Sequence, residues 1–297
     1  MARIDNKGII HGTKANDVYR GYQGKQVIQS KPKDYKLTPN SKEGHMEFSL
    51  SSSTAMAIRH AFGYTYAGYD GKMVNRLNST VYSSIRASAK ERGERDLNDA
   101  DLSYLEGFQF NNNSPMDKVL PKKPKAYLDT ENKICIDIPP LSYYDIRSSH
   151  VGDYLLRFVA IAFNFRKGAF HYNGLKEITL SRGNKLEGGV IRLEDDLLKG
   201  RVIILSMSLH GYHNDDFGGV QTINSKAWSP AEILAAWHIP ADDLDDTEIP
   251  INNKLVVVTY NGNKFLDDIA RLKTKVNAQK KKKTLKTYKA VKGKLKK

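Results

Sequence analysis

The last 27 residues of this chain, Arg271 to Lys297, contain neither aspartate nor glutamate, but 13 lysines and arginines. A solvated charge run without counter-charges binds a polyanion far better than it supports a fold. Residues 1–270 hold 34 basic and 33 acidic side chains, so the formal charge of +14 belongs almost entirely to the tail. Other scarcities narrow the class further. One cysteine, Cys135, excludes a disulfide framework. The most apolar stretch, Tyr154 to Phe165, is interrupted by Arg157 and is too short to span a bilayer. The first thirty residues have no apolar block of signal-peptide length. Together these absences point to a soluble, reducing, cytoplasmic setting and away from a membrane, with secretion by a signal-independent route left open.

Nucleotide chemistry also lacks its signatures. No Gly-Lys-Ser/Thr phosphate loop is present, and no Gly-x-Gly-x-x-Gly opens a helix after a strand. Cys135 has no sequence cue as a nucleophile. The expectation is a non-enzymatic protein without a cofactor.

What the chain does contain is a sizeable apolar fraction, 40%, in 297 residues, enough for two domains and a tail. The fold class expected is α+β: an N-terminal β-hairpin plus helices, an antiparallel β-sandwich-like domain, and a basic C-terminal tail that is helical or disordered. Val18, Arg20 and Tyr22 alternate before Gln23-Gly24, and Val27 and Gln29 alternate after it, which predicts the hairpin. Phe48, Ala55, Ile58 and Phe62 predict a first helix capped from a serine-rich stretch. Val74, Leu77, Val81 and Ile85 predict a second over 71–92, with Arg76, Arg86, Lys90 and Arg92 largely off its apolar stripe.

Residues 1–110 form this hairpin and helical region. Asn and Pro clusters mark 111–126 as a linker. Period-2 patterning then predicts strands over 133–138, 153–165, 175–181, 189–194, 201–209 and 254–260, within a sandwich-like domain at 127–262. One helix is expected to interrupt them: Ser229-Pro230-Ala231-Glu232 has the form of a capping box, with Trp228 and Ile233 spaced as a hydrophobic staple. In the basic tail, 263–297, Phe265, Ile269, Leu272 and Val276 predict a helix. Beyond Gln279 the run Lys280 to Lys283 repels itself, and folding on binding is expected there.

Two clusters invite a metal reading. His210, His213, Asp215 and Asp216 offer imidazole and carboxylate, but their spacing fits no established ligand set and a polar strand-to-loop segment explains them better. The acidic stretch Asp242, Asp243, Asp245, Asp246 and Glu248 lacks the glycine and the spacing of a calcium loop. No metal site is assigned.

The residues expected to make function are the tail cations: Arg271, Lys273, Lys275, Lys280, Lys281, Lys282, Lys283, Lys286, Lys289, Lys292, Lys294, Lys296 and Lys297. If half of them engaged duplex DNA, log K would fall with log salt at a slope of about −5 to −6. Lysine is a point charge without bidentate base geometry, so such binding is nearly blind to sequence. The partner expected is a DNA or RNA backbone. The alternative is an assembly protein that self-associates as a homo-oligomer through its hairpin and sandwich, with the tail docked on acidic protein surface, its own included.

The opening residues Gly12, Val18, Arg20, Gly24, Lys25, Val27, Ser30 and Pro32 resemble the start of an uncharacterised family frequent in Bacteroidota. The resemblance implies an architecture of glycine-punctuated hairpin, helices and β-sandwich-like region over residues 1 to about 210, and no activity.

Overall fold

The computed structural model describes residues 2–31, 36–66, 70–148, 152–193, 197, 199–214, 219–240, 255–257 and 260–294, with 214, 255–257 and 283–294 by backbone alone. The protein is α+β and divides into two compact units, Met1–Ser41 and Lys42–Lys297.

The first unit is an antiparallel meander of four strands in sequential order: β1 (Ala2–Ile4), β2 (Ile10–Lys14), β3 (Asp17–Tyr22) and β4 (Lys25–Ser30). The expected hairpin is its second half. Gln23 and Gly24 both take positive φ, 51° and 76°, the geometry of the type I′ turn that matches strand twist. A Cβ at Gly21 would come within 3.1 Å of Ile9 Cγ2, and Gln26 beside it in the register bonds the Ile10 backbone as both donor and acceptor. No described residue of this unit is buried.

The helix α1 (Pro39–Ala61), all but its first three residues in the second unit, starts earlier than its serines suggest. Thr38 Oγ accepts from Ser41 N–H at 3.2 Å and Pro39 takes the first helical position. The serine-rich stretch lies inside the helix instead, where Ser51 and Thr54 return their hydroxyls to carbonyls four residues back. α2 (Met73–Arg86) buries Met73, Leu77, Val81 and Ile85. Short pieces follow, including α3 (Met116–Val119), which packs Met116, Val119 and Leu120 into the core. The segment expected as a linker at 111–126 is therefore tertiary structure with buried side chains, Asn111 and Ser114 among them.

Seven strands come next: β5 (Lys125–Leu128), β6 (Ile134–Ile138), β7 (Leu141–Ser142), β8 (Asp153–Asn164), β9 (Ala169–Leu180), β10 (Lys185–Leu186) and β11 (Gly189–Arg192). After them run β12 (Arg201–Asn214), β13 (Val220–Thr222), β14 (Ala231–Ile239) and β15 (Leu255–Val257). β8 is central, paired antiparallel with β9 and β12 in a six-stranded sheet that β13, β14 and β15 complete. β11, β6 and β5 make a separate three-stranded sheet, and β7 pairs with β10.

Both faces of the large sheet are apolar. Val159, Ile161 and Phe163 of β8, with Val202 and Ile204 of β12, join Leu50, Ile58, Leu77 and Ile85 of the helices in one core. Leu156, Phe158 and Ala160, with Ile203, Leu205 and Met207, join Ile134, Ile136 and Ile138 of the small sheet in another. This layering of helices, sheet and sheet explains the apolar run at 154–165, because a strand covered on both sides needs no alternation.

The helix expected at Ser229 is the strand β14, registered against β12 from Arg201↔Ile239 to Ser208↔Ala231. Ala, Glu and Leu favour a helix locally, but burial on both faces decides the conformation. Glu232 caps no helix. It is 1% exposed and takes hydrogen bonds from Gln109 and Lys123.

Candidate nucleic-acid interface

α4 (Gly262–Lys294) is one continuous helix, about 50 Å long at the standard rise. Its first half is docked. Asn263 Nδ2 donates to the Phe165 and Arg166 carbonyls, Asn261 N–H donates to Ser53 Oγ, and the hydroxyls of Tyr260 and Thr54 lie 3.1 Å apart. Phe265 and Leu266 pack on the helical core and Ile269 is fully buried.

Ile269 sits on Gly93, where φ is +90° and a Cβ would come within 2.5 Å of Ile269 Cγ2. Only glycine meets both demands at that position. Gly93→Ala is expected to cost about 1–2 kcal/mol in backbone strain alone and to loosen this contact. Hydrogen exchange across 266–276 reads it: protection there falls while that of β8 stays.

Beyond Val276 every described side chain through Lys282 is exposed. Lys280, Lys281 and Lys282 step 100° apart around the helix axis, so cations cover more than one of its sides. Of the six tail cations whose side chains are described, two make ion pairs that the structure places: Lys273 with Glu91 at 3.2 Å and Arg271 with Asp268 at 3.7 Å. Both involve exposed groups and contribute little. Lys275, Lys281 and Lys282 meet no carboxylate among the described residues. Lys283, Lys286, Lys289, Lys292 and Lys294 lie on the same helical backbone, while Lys296 and Lys297 fall outside the described residues.

The basic face expected on α2 and the loop after it is occupied internally. Arg76 bonds Asp70 and the Gln109 carbonyl, and Lys90 pairs with Asp99. Arg92 and Arg95 grip Glu47, a carboxylate only 1% exposed, at 3.1 and 2.7 Å. Arg86 lies over the Tyr82 ring. The guanidinium groups of Arg76, Arg92 and Arg95 are thus engaged within the second unit, while Arg86 remains exposed.

The histidine cluster does not converge. His210 and His213 are three apart on β12, and strand alternation sends them to opposite faces; Asp215 and Asp216 lie outside the described residues, as does the acidic stretch 242–248. No group of three or more potential metal ligands occurs among the described residues. His210 lies 3.0 Å from Ser208 Oγ, and burial together with the nearby Arg157 charge pushes its pKa down from 6.5 to about 4.

A histidine that resists protonation in the folded chain costs stability when the unfolded chain can take the proton. Stability is expected to be intact above pH 6.5 and to drop by about 3 kcal/mol as pH falls to about 4. Urea denaturation across that window checks it, and His210→Gln should flatten the decline.

Charge follows the structural division more closely than it follows the halves of the chain. Met1–Ser41 carries 8 basic and 3 acidic groups, residues 42–270 carry 26 and 30, and Arg271–Lys297 carries 13 and none. A mildly acidic centre thus has a basic element at each end of the sequence. The contribution of the first unit was legible from composition, but a boundary drawn near residue 126 averages it away.

Among the described residues, no helix is long and apolar enough to cross a membrane. No family model matches the chain, and neither does any curated protein or solved structure.

Proposed function

We propose that the protein is a non-enzymatic nucleic-acid binder whose C-terminal helix grips the phosphate backbone with little regard for sequence. The observation that carries this reading is the change along α4: anchored at Ile269, then exposed and cationic through Lys282, where Lys281 and Lys282 meet no carboxylate among the described residues. Each lysine that meets a phosphate releases condensed counterion, so affinity rises as salt falls. A rod already helical when it meets its partner loses less conformational entropy on binding than a disordered tail would. A reducing, cytoplasmic location accords with one buried, unpaired cysteine.

The test is a salt series with labelled duplex DNA and the full chain. A linear decline of log K against log salt, with a slope near −5, supports the reading. A slope near zero, or the absence of binding at low salt, rejects it.

A further inference from the structure

The first unit is a sheet without a core. Four strands spanning residues 2–30 bury none of their described side chains, while Ile4, Tyr22 and Ile28 are 69%, 62% and 59% exposed. A small sheet that buries none of its described side chains needs a partner to be stable. Its chemistry identifies the class of partner. In the β3–β4 register Tyr22 stands directly opposite Lys25, and Arg20 opposite Val27, so Arg20, Tyr22 and Lys25 share one face. The I′ turn at Gln23-Gly24 fixes that register. Arg20 and Lys25 are exposed and meet no carboxylate among the described residues.

A protein-binding face is depleted in charge at its centre. This one brackets an aromatic ring with two unneutralised cations, in a unit whose charges are 8 basic against 3 acidic. That combination suits an unpaired base on the ring and phosphates on the cations.

We propose that the Arg20, Tyr22 and Lys25 face binds single-stranded nucleic acid, stacking a base on Tyr22. The proposal rests on the nucleic-acid reading above and adds a preference that the lysine helix cannot supply. The helix sees phosphate in any strand, whereas a tyrosine ring stacks only a base released from its pair.

The experiment uses full-length variants with two probes, a labelled dT oligomer of about 30 nucleotides and a duplex of equal length. Tyr22→Ala is expected to weaken dT binding about 5- to 150-fold and to leave duplex affinity within about twofold, while Tyr22→Phe retains the wild-type value. Arg20→Gln with Lys25→Gln should reduce the dT salt slope by about 1.4. Circular dichroism of Tyr22→Ala matching wild type shows that the fold is kept.

If Tyr22→Ala binds dT as well as wild type while neutralised tail variants lose affinity, the sheet is not a binding face and the helix reading stands. If tail variants keep full duplex affinity, the helix reading falls and takes this proposal with it. If Tyr22→Ala instead converts an oligomer to a monomer in sedimentation, the face joins copies of the chain and the proposal is wrong.

Discussion

A chain ending at Gln279 is expected to lose most of its affinity for duplex DNA at low salt. The shortened chain drops ten of the 13 tail cations, Lys280 onwards, but keeps the docked half of α4 through Val276. If about half of the ten engage phosphate, the slope of log K against log salt should shrink by about 4 to 5. Anisotropy titrations at several salt concentrations measure it. The cut belongs after Gln279 and not after Ala270, because an earlier end would remove Leu272, Lys273 and Val276 and confuse undocking with loss of charge. Lys280→Glu with Lys281→Glu and Lys282→Glu is an independent check at constant length, expected to weaken binding in the same direction but by less than truncation, because seven of the ten distal lysines remain. An unchanged slope in both variants would remove the helix from the binding account.

The second large effect concerns Glu47. Its carboxylate is 1% exposed and held by Arg92 and Arg95, with Arg95 also donating to the Arg86 carbonyl. The ion pair ties α1 to the loop that carries Gly93, against which α4 docks. Glu47→Ala leaves two guanidinium groups without their counter-charge and is expected to destabilise the chain by about 3–5 kcal/mol. At about 2–4 °C per kcal/mol for a unit of this size, the melting temperature should fall by at least about 6 °C. Arg92 and Arg95 are partly exposed and can recover some hydration, so the lower end of the range is the expectation. Replacing Glu47, Arg92 and Arg95 together with Leu, Met and Met should regain much of the loss, since an apolar substitute for a whole buried pair carries no desolvation penalty. A melting temperature within one degree of wild type for Glu47→Ala would show that the pair is solvated in solution.

Local pattern served the sequence reading well where one physical term dominates. The hairpin at Gln23-Gly24, the α2 stripe of Leu77, Val81 and Ile85, and the strands at 134–138 and 153–164 each follow from periodicity or turn chemistry. Patterning failed where burial is two-sided. β14 has apolar neighbours on both faces, so its Ala-Glu-Ile-Leu-Ala-Ala run carries no alternation and reads as a helix behind an apparent cap. Sequence alone does not say that Glu232 will meet Lys123 and Gln109 from more than a hundred residues away. The proline-rich piece at 111–126 was misleading for a similar reason: Met116, Val119 and Leu120 are isolated in the chain and become core only when the sheet supplies their surroundings.

Of the candidate interface, the lysines were plain from composition, and the anchoring of their helix was half visible in the spacing of Phe265 and Ile269. Its dependence on Gly93 had no local signal, because the contact joins residues 176 positions apart. Arg20 and Tyr22 belong to the alternation that predicts the hairpin, whereas Lys25 enters only through the resemblance. Their common face emerges only once the register is known.

The unbroken course of α4 has a mechanical consequence. A basic tail is commonly pictured as a string that drags its cargo at any angle, but a helix bolted down at Ile269 and stiff through Lys294 acts as an outrigger. Whatever seizes its far end is held at a set distance from the docked half of the helix, and a pull on that end is delivered to the Gly93 loop and, through Arg92 and Arg95, to Glu47.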